Sequence, residues 1–148
     1  MAKSTILLRQ KLAETILNGT AVHTWLPNSQ MYLGLWKIMP ILDDASDGQE
    51  HSGAGGYARV TVKNKWTQDQ SVLPIVRYSL NTEINFDSNS TGWNGNGTTA
   101  PVVGVGFFDA PTGGNCLMFA SLDPLREIMP NQEMDINIDG MSVDFTVV

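Results

Sequence analysis

The sequence predicts a mainly β protein, an antiparallel β-sandwich or barrel of jelly-roll type with one N-terminal α-helix. Three observations predict it. Apolar and polar residues alternate along several runs, turn residues separate those runs about every 8–15 positions, and helical periodicity occurs once.

The helix is predicted over residues 4–18. At 100° per residue, Ile6, Leu8, Leu12, Ala13, Ile16 and Leu17 fall on one half of the wheel. Gln10, Lys11, Glu14 and Thr15 fall on the other, with Leu7 among them. Ser4 is the expected N-cap and Asn18-Gly19 the expected stop. An apolar arc of about 180° exceeds the ~100° stripe of an ordinary surface helix. Two layers are therefore expected to cover it, a groove of its own domain or a neighbouring subunit.

Strands follow. Met31–Trp36 is short and almost wholly apolar, as expected of a strand covered on both faces. Residues 40–56 are a loop, acidic at Asp43, Asp44, Asp47 and Glu50, then rich in glycine. Tyr57 to Val62 alternates, with Ala58, Val60 and Val62 on one face and Tyr57, Arg59 and Thr61 on the other. Residues 76–86 hold period two for eleven positions, Val76 to Phe86, and predict one long strand. Residues 87–101 form a polar loop around Trp93. Val102–Phe108 is a strand whose Gly104 and Gly106 invite close approach. A turn over Asp109–Asn115, a strand over Cys116–Leu122 and a proline-marked connector over 123–133 come next. Asp139-Gly140 between two alternating runs, 134–138 and 141–147, predicts a hairpin.

A length of 148 residues, 42% of them apolar, fits a single domain over 1–148, a helix and a β-rich body at 31–148 carrying the polar loop 87–101. The net charge of −6 argues against general nucleic-acid binding. No apolar run reaches the roughly 18 residues of a membrane helix, and Ile6–Leu8 is too short for a signal-peptide core. Charge is uneven: +2 up to Tyr78 and −8 beyond it. One cysteine, Cys116, excludes an internal disulfide and a multi-cysteine zinc site.

No catalytic or cofactor set stands out. The stretch from Asp43 to Glu50 resembles a calcium loop, but Ala45 and Ala54 occupy two ligand positions, so an exposed acidic loop is the default. His23 and His51 are the possible bases and Cys116 the possible nucleophile, and none lies in a nucleophile motif. The glycines of SGAGGYARV precede a strand and make no phosphate loop. Asn18, Asn89 and Asn96 open glycosylation sequons that turn composition explains. Trp93 is either a contact anchor or a ring folded back over a sheet end.

Three segments in order carry a resemblance: a helix ending in NGTA before MYLGLW, an acidic glycine-rich loop closing in SGAGGYARV, and VGFFDAPTGGNCLMFASL before the final strands. The chain resembles the small tail-fibre-like or appendage proteins of tailed bacteriophage virions, with their GGYAR and FDAxTGGN pieces. It departs from them at Pro111 and Cys116 and in the length of loop 87–101. The resemblance implies a virion structural role as a homo-oligomer, without catalysis. No metal or cofactor is expected.

The leading expectation is a trimeric capsid decoration, or cement, protein on the phage head, bound to the major capsid protein. The alternative is a tail fibre or baseplate protein that binds a host-surface glycan, with Trp93, Tyr57 or Trp66 stacking on a sugar ring. A small hydrolase is the third. The interaction residues offered are Leu8, Leu12, Ile16, Trp36, Tyr57, Arg59, Trp66 and Trp93. Neither nucleic acid nor a membrane is an expected partner.

Overall fold

A computed structural model describes residues 3–18, 31–69, 76–138 and 140–145. The fold is mainly β, antiparallel throughout, with one short helix near the N-terminus. Strands are β1 (Lys3–Ser4), β2 (Tyr32–Ile38), β3 (Gln49–Glu50), β4 (Val60–Thr61), β5 (Trp66–Asp69) and β6 (Val76–Leu80). Then come β7 (Ile84–Phe86), β8 (Ala100–Phe108), β9 (Cys116–Ile128), β10 (Met134–Ile136) and β11 (Ser142–Phe145). Helix α1 spans Ile6–Asn18.

The large sheet runs β1-β9-β8-β2-β3, with β4 also on β2. It is open at β1 and β3, so no barrel closes. The central strands are buried on both faces, as the run at 31–36 predicts. Leu33, Leu35, Val105 and Phe107 face the main core, where Leu80, Ile84, Phe86, Met134 and Ile136 of the smaller sheets meet them. Trp36, Phe108 and Phe119 face the other way, under Met39 and Ala45 of the acidic loop. Gly104 and Gly106 do admit close neighbours. A methyl group at Gly106 would come within 2.6 Å of Trp36 Nε1, and one at Gly104 within 2.6 Å of the Ala120 carbonyl.

The helix starts two residues later than expected. Ser4 belongs to β1, paired with Met118 of β9. Thr5 is the cap: its hydroxyl accepts from Leu8 N at 3.3 Å and donates to Leu117 O at 3.0 Å. The apolar faces differ too. Leu7, on the polar half of the wheel, lines a cavity beside Trp36. Ile6, Leu12 and Leu17 remain 46%, 43% and 79% exposed. Docking through β1 and Thr5 sets the rotation of the helix, and the wheel could not contain that constraint. The side chain of Ile16 lies outside what the structure describes.

The expected strand at 57–62 shrinks to Val60–Thr61, because a 3-10 turn at Ala54–Gly56 delivers Tyr57 straight into the core. The expected strand at 76–86 is two strands, β6 and β7, parted at Asn81–Glu83 and assigned to different sheets. Among the described residues the two runs around Asp139-Gly140 do not pair with each other as the expected hairpin requires. Asp139 lies outside the described residues, but its flanks are placed: β10 pairs with β7, and β11 pairs with β6. The two runs thus answer the two halves of 76–86, and pairing with β7 and β6 outcompetes the local turn. The connector expected from residue 123 instead continues β9 to Ile128, past a register shift between Val102 and Gly104 that accommodates Pro124.

Candidate functional site

Two of the three segments that carry the resemblance meet at one side chain, Arg59. Its Nε donates to Glu50 Oε1 at 2.8 Å and its Nη2 to Glu50 Oε2 at 2.6 Å, a bidentate pair. Its Nη1 donates to the carbonyls of Ala110 and Gly113 at 2.7 and 2.6 Å. The guanidinium carbon lies 3.5 Å from the centroid of Phe108. Tyr57 completes the group: its hydroxyl donates to Glu50 Oε1 at 2.8 Å and accepts from Leu35 N at 2.7 Å. Burial, then the adjacent Glu50 charge, pushes the Tyr57 phenol well above its ordinary range.

The turn held by Arg59 is also braced from within. Asp109 accepts from Asn115 N at 2.7 Å and from Asn115 Nδ2 at 2.8 Å. Cavities of about 360 and 420 Å³ flank the Glu50–Arg59 pair, and Gly113 of the turn borders both. The Arg59 side chain is only 7% exposed and the Glu50 side chain 18%. Four of the five guanidinium N–H groups are spent within the chain. The cluster is a clamp that fixes an exposed turn, and its charge is already neutralised.

A second knot lies behind it. His51, Tyr57 and Trp93 form an aromatic triangle, with ring centroids 5.5–5.7 Å apart. Trp93 is 2% exposed, and its indole N–H donates to Asp87 O at 2.7 Å. Of the two readings of Trp93, the structure shows the fold-back. Its loop is held by two Asx turns: Asn89 Oδ1 accepts from Thr91 N and hydroxyl, and Asn96 Oδ1 from Thr98 N and hydroxyl. Two of the three sequon matches are therefore turn chemistry.

The other sequence-derived candidates divide. Trp36 and Tyr57 are core residues at 4% and 6% exposure, so neither they nor Trp93 offer a ring face to a sugar or a partner. Trp66 is half-buried against Phe107, 5.9 Å between ring centroids. Leu8 is half-buried and Leu12 exposed. Glu50 and His51 enter the sequence reading only as a loop acid and a lone base. Their partners are the Arg59 guanidinium at the far end of the same loop and the Pro101 carbonyl 50 residues on, which spacing does not reveal.

The acidic loop spends Asp44 and Asp47 on its own backbone and Asp43 on a side chain of α1. Asp47 Oδ1 accepts from Ile41 N and Leu42 N at 3.0 Å, and Asp43 pairs with Arg9 at 3.0 Å. Asp44 accepts from Ser46 N at 3.0 Å, a hydrogen bond that lowers its pKa. Among the described residues no three His, Cys, Asp or Glu side chains group as a metal site. Burial pushes the Cys116 thiol up to about 12, and its Sγ–H donates to Met118 O. His23 lies outside the described residues.

Burial favours the neutral form of His51. Its Nε2 bonds Pro101 O at 2.8 Å, and burial lowers its pKa from 6.5. Below 6.5 the unfolded chain binds a proton that the folded chain does not, so this contribution to stability is complete above 6.5 and declines as pH falls through the folded-state value. The unfolding midpoint is expected to drop between about pH 7.5 and about pH 5.5. The drop should be smaller in His51→Gln, measured by circular dichroism. An equal drop in both proteins would assign the acid sensitivity to carboxylates.

Comparison with known families agrees with the resemblance at the coarse level. A family model described as Podophage GP4 fiber I protein gp80 matches residues 2–144. The match indicates a phage fibre-like structural protein, a component of the virion. No curated protein matches the chain.

Proposed function

From the premise that the chain belongs to the podophage GP4 fiber I protein gp80 family, we propose that it is a non-enzymatic, self-associating module of a tail-attached virion fibre. The observation that carries this reading is the family match, which runs from residue 2 to residue 144. It favours the fibre alternative over the head decoration expected from compactness alone. The structure supports a building-block role in a second way. The densest polar cluster, around Arg59, is spent on fixing a turn, and the conspicuous aromatics are spent on the core.

Copy number separates the two virion sites. A fibre module is present in a handful to a few tens of copies per particle, while a decoration protein follows the capsid lattice into the hundreds. Quantifying this chain against the major capsid protein on gels of purified virions is expected to give the low number. Immunogold label should sit at the tail. Hundreds of copies spread over the head would return the protein to capsid decoration.

A further inference from the structure

The polar loop 87–101 holds two Asn-Gly pairs next to each other, Asn94-Gly95 and Asn96-Gly97. In such a pair the glycine nitrogen can close onto the Asn side-chain carbon, because no glycine side chain shields it. The fold treats the two asparagines in opposite ways.

Their partners fix which side-chain atom is which. Thr98 N donates to the Asn96 side chain at 3.1 Å, so the atom there is Oδ1, and the Thr98 hydroxyl donates to the same oxygen at 2.6 Å. At Asn94 the partner is a carbonyl, Thr99 O, 2.7 Å away, so the atom facing it is Nδ2. That leaves Asn94 Oδ1 buried with no donor.

Ring closure puts negative charge on Oδ1. At Asn96 two donors already point at that oxygen. At Asn94 the charge would develop in a buried place without one. The departing nitrogen differs too. Asn94 Nδ2 is tied to Thr99 O on a half-buried residue, whereas Asn96 is exposed to the water that must solvate ammonia. The main chain treats the two nucleophiles alike, since Gly95 N donates to Gly92 O at 2.8 Å and Gly97 N to Thr91 O at 2.7 Å. Each must first release one carbonyl. Room to do so lies at Gly97, where an added methyl meets nothing within 4 Å, while at Gly95 it meets Ala54 Cβ at 3.3 Å.

We propose that Asn96 is a self-modification site, converted without an enzyme to aspartate and isoaspartate, and that the fold spares Asn94. Gly97 N gives its proton to solvent base and attacks Asn96 Cγ. The N–Cγ bond forms, the Cγ–Nδ2 bond breaks, and Nδ2 leaves as ammonia after taking up a proton. Water then opens the succinimide. Opening at Cγ gives aspartate, and opening at the main-chain carbonyl gives isoaspartate, which carries one more methylene in the main chain. Both products add a negative charge. A virion component is not resynthesised after assembly, so the product accumulates with the age of the particle.

The full chain is incubated at mildly alkaline pH, and fragment-level mass spectrometry reads the amide-to-acid mass gain at each asparagine. Asn96 is expected to convert at least about tenfold faster than Asn94, short of the ~10²–10³ that one donor is worth in a dry active site. In denaturant the two rates should converge. Thr98→Val removes one donor to Oδ1 at an exposed position. It should slow Asn96 several-fold in the folded protein and change nothing in denaturant. An Asn96 that stays intact in the folded protein overturns the proposal, as do equal folded-state rates at the two sites or a faster rate in Thr98→Val. If Thr98→Val fails to fold, the ratio of the two wild-type rates decides.

Discussion

Arg59→Ala is expected to cost about 3–5 kcal/mol of folding stability, the range for removing one member of a buried ion pair. The partner left behind is the reason. Glu50, with its side chain only 18% exposed, would keep its charge in a site built around a guanidinium, with the Tyr57 hydroxyl as its remaining donor. The carbonyls of Ala110 and Gly113 would lose donors at 2.7 and 2.6 Å. For a chain of this size the unfolding midpoint should fall by roughly 10–15 °C. Arg59→Lys should recover part of the loss, since an ammonium supplies charge without the planar fork that reaches both Glu50 oxygens and both carbonyls. Glu50→Gln placed on top of Arg59→Ala should cost less than the two changes added together, because it removes the stranded charge. Thermal denaturation of wild type, Arg59→Ala, Arg59→Lys, Glu50→Gln and the double variant checks this. An Arg59→Ala protein within about 1 kcal/mol of wild type would mean the pair is solvated and the clamp is idle.

The clamp explains what could and could not be read from residue order. Unbroken apolar runs made β2 and β8 legible, because burial on both faces leaves no polar gap. Alternation found 76–86 and both C-terminal runs. Pairing was another matter. Asp139-Gly140 is a strong local hairpin signal, but the runs on either side have a better offer: β10 lies on β7 from Met134 opposite Phe86, and β11 on β6 from Ser142 opposite Ser79. A partner about 60 residues away in the chain leaves no mark on local periodicity. The rotation of α1 was hidden for the same reason. It is set by Thr5 bonding to Leu117, a contact across 112 residues.

The candidate site was legible as residues and not as chemistry. Arg59 and Tyr57 stand out within SGAGGYARV, yet nothing near them says that Glu50 and the turn after Phe108 are their partners. Trp93 is the plainest case. A tryptophan in a polar loop reads as a contact residue, and the indole turns inward because the Asp87 carbonyl accepts its N–H and His51 and Tyr57 supply its wall. The segments that carry the resemblance therefore encode how the fold is fastened.

Gly55→Ala should be the most damaging small substitution in the chain, at about 4 kcal/mol or more, a size reserved for a few mechanisms. Gly55 has φ +63°, a left-handed conformation that costs an L-residue about 1–2 kcal/mol. The larger part is steric. An added methyl would run into the Gly92 carbonyl and come within 2.7 Å of Trp93 N. Both obstacles are backbone, so no rotamer change relieves them. The Gly55 carbonyl also accepts from Asn89 N at 2.8 Å, which ties the two loops on the opposite side. Relief requires loop 87–93 to lift, and lifting it withdraws Trp93 from the core, where loss of a large aromatic costs about 3–5 kcal/mol. Gly97→Ala is the control. Gly97 has φ +74° with no atom within 4 Å of an added methyl, so it should show the left-handed penalty of about 1–2 kcal/mol alone. Chemical denaturation of the two variants separates the terms. If Gly55→Ala folds, its tryptophan emission should shift to the red as Trp93 meets water, while Gly97→Ala keeps the wild-type spectrum. Equal losses in the two variants would show that loop 87–93 moves freely and that the glycine is there for its backbone angle alone.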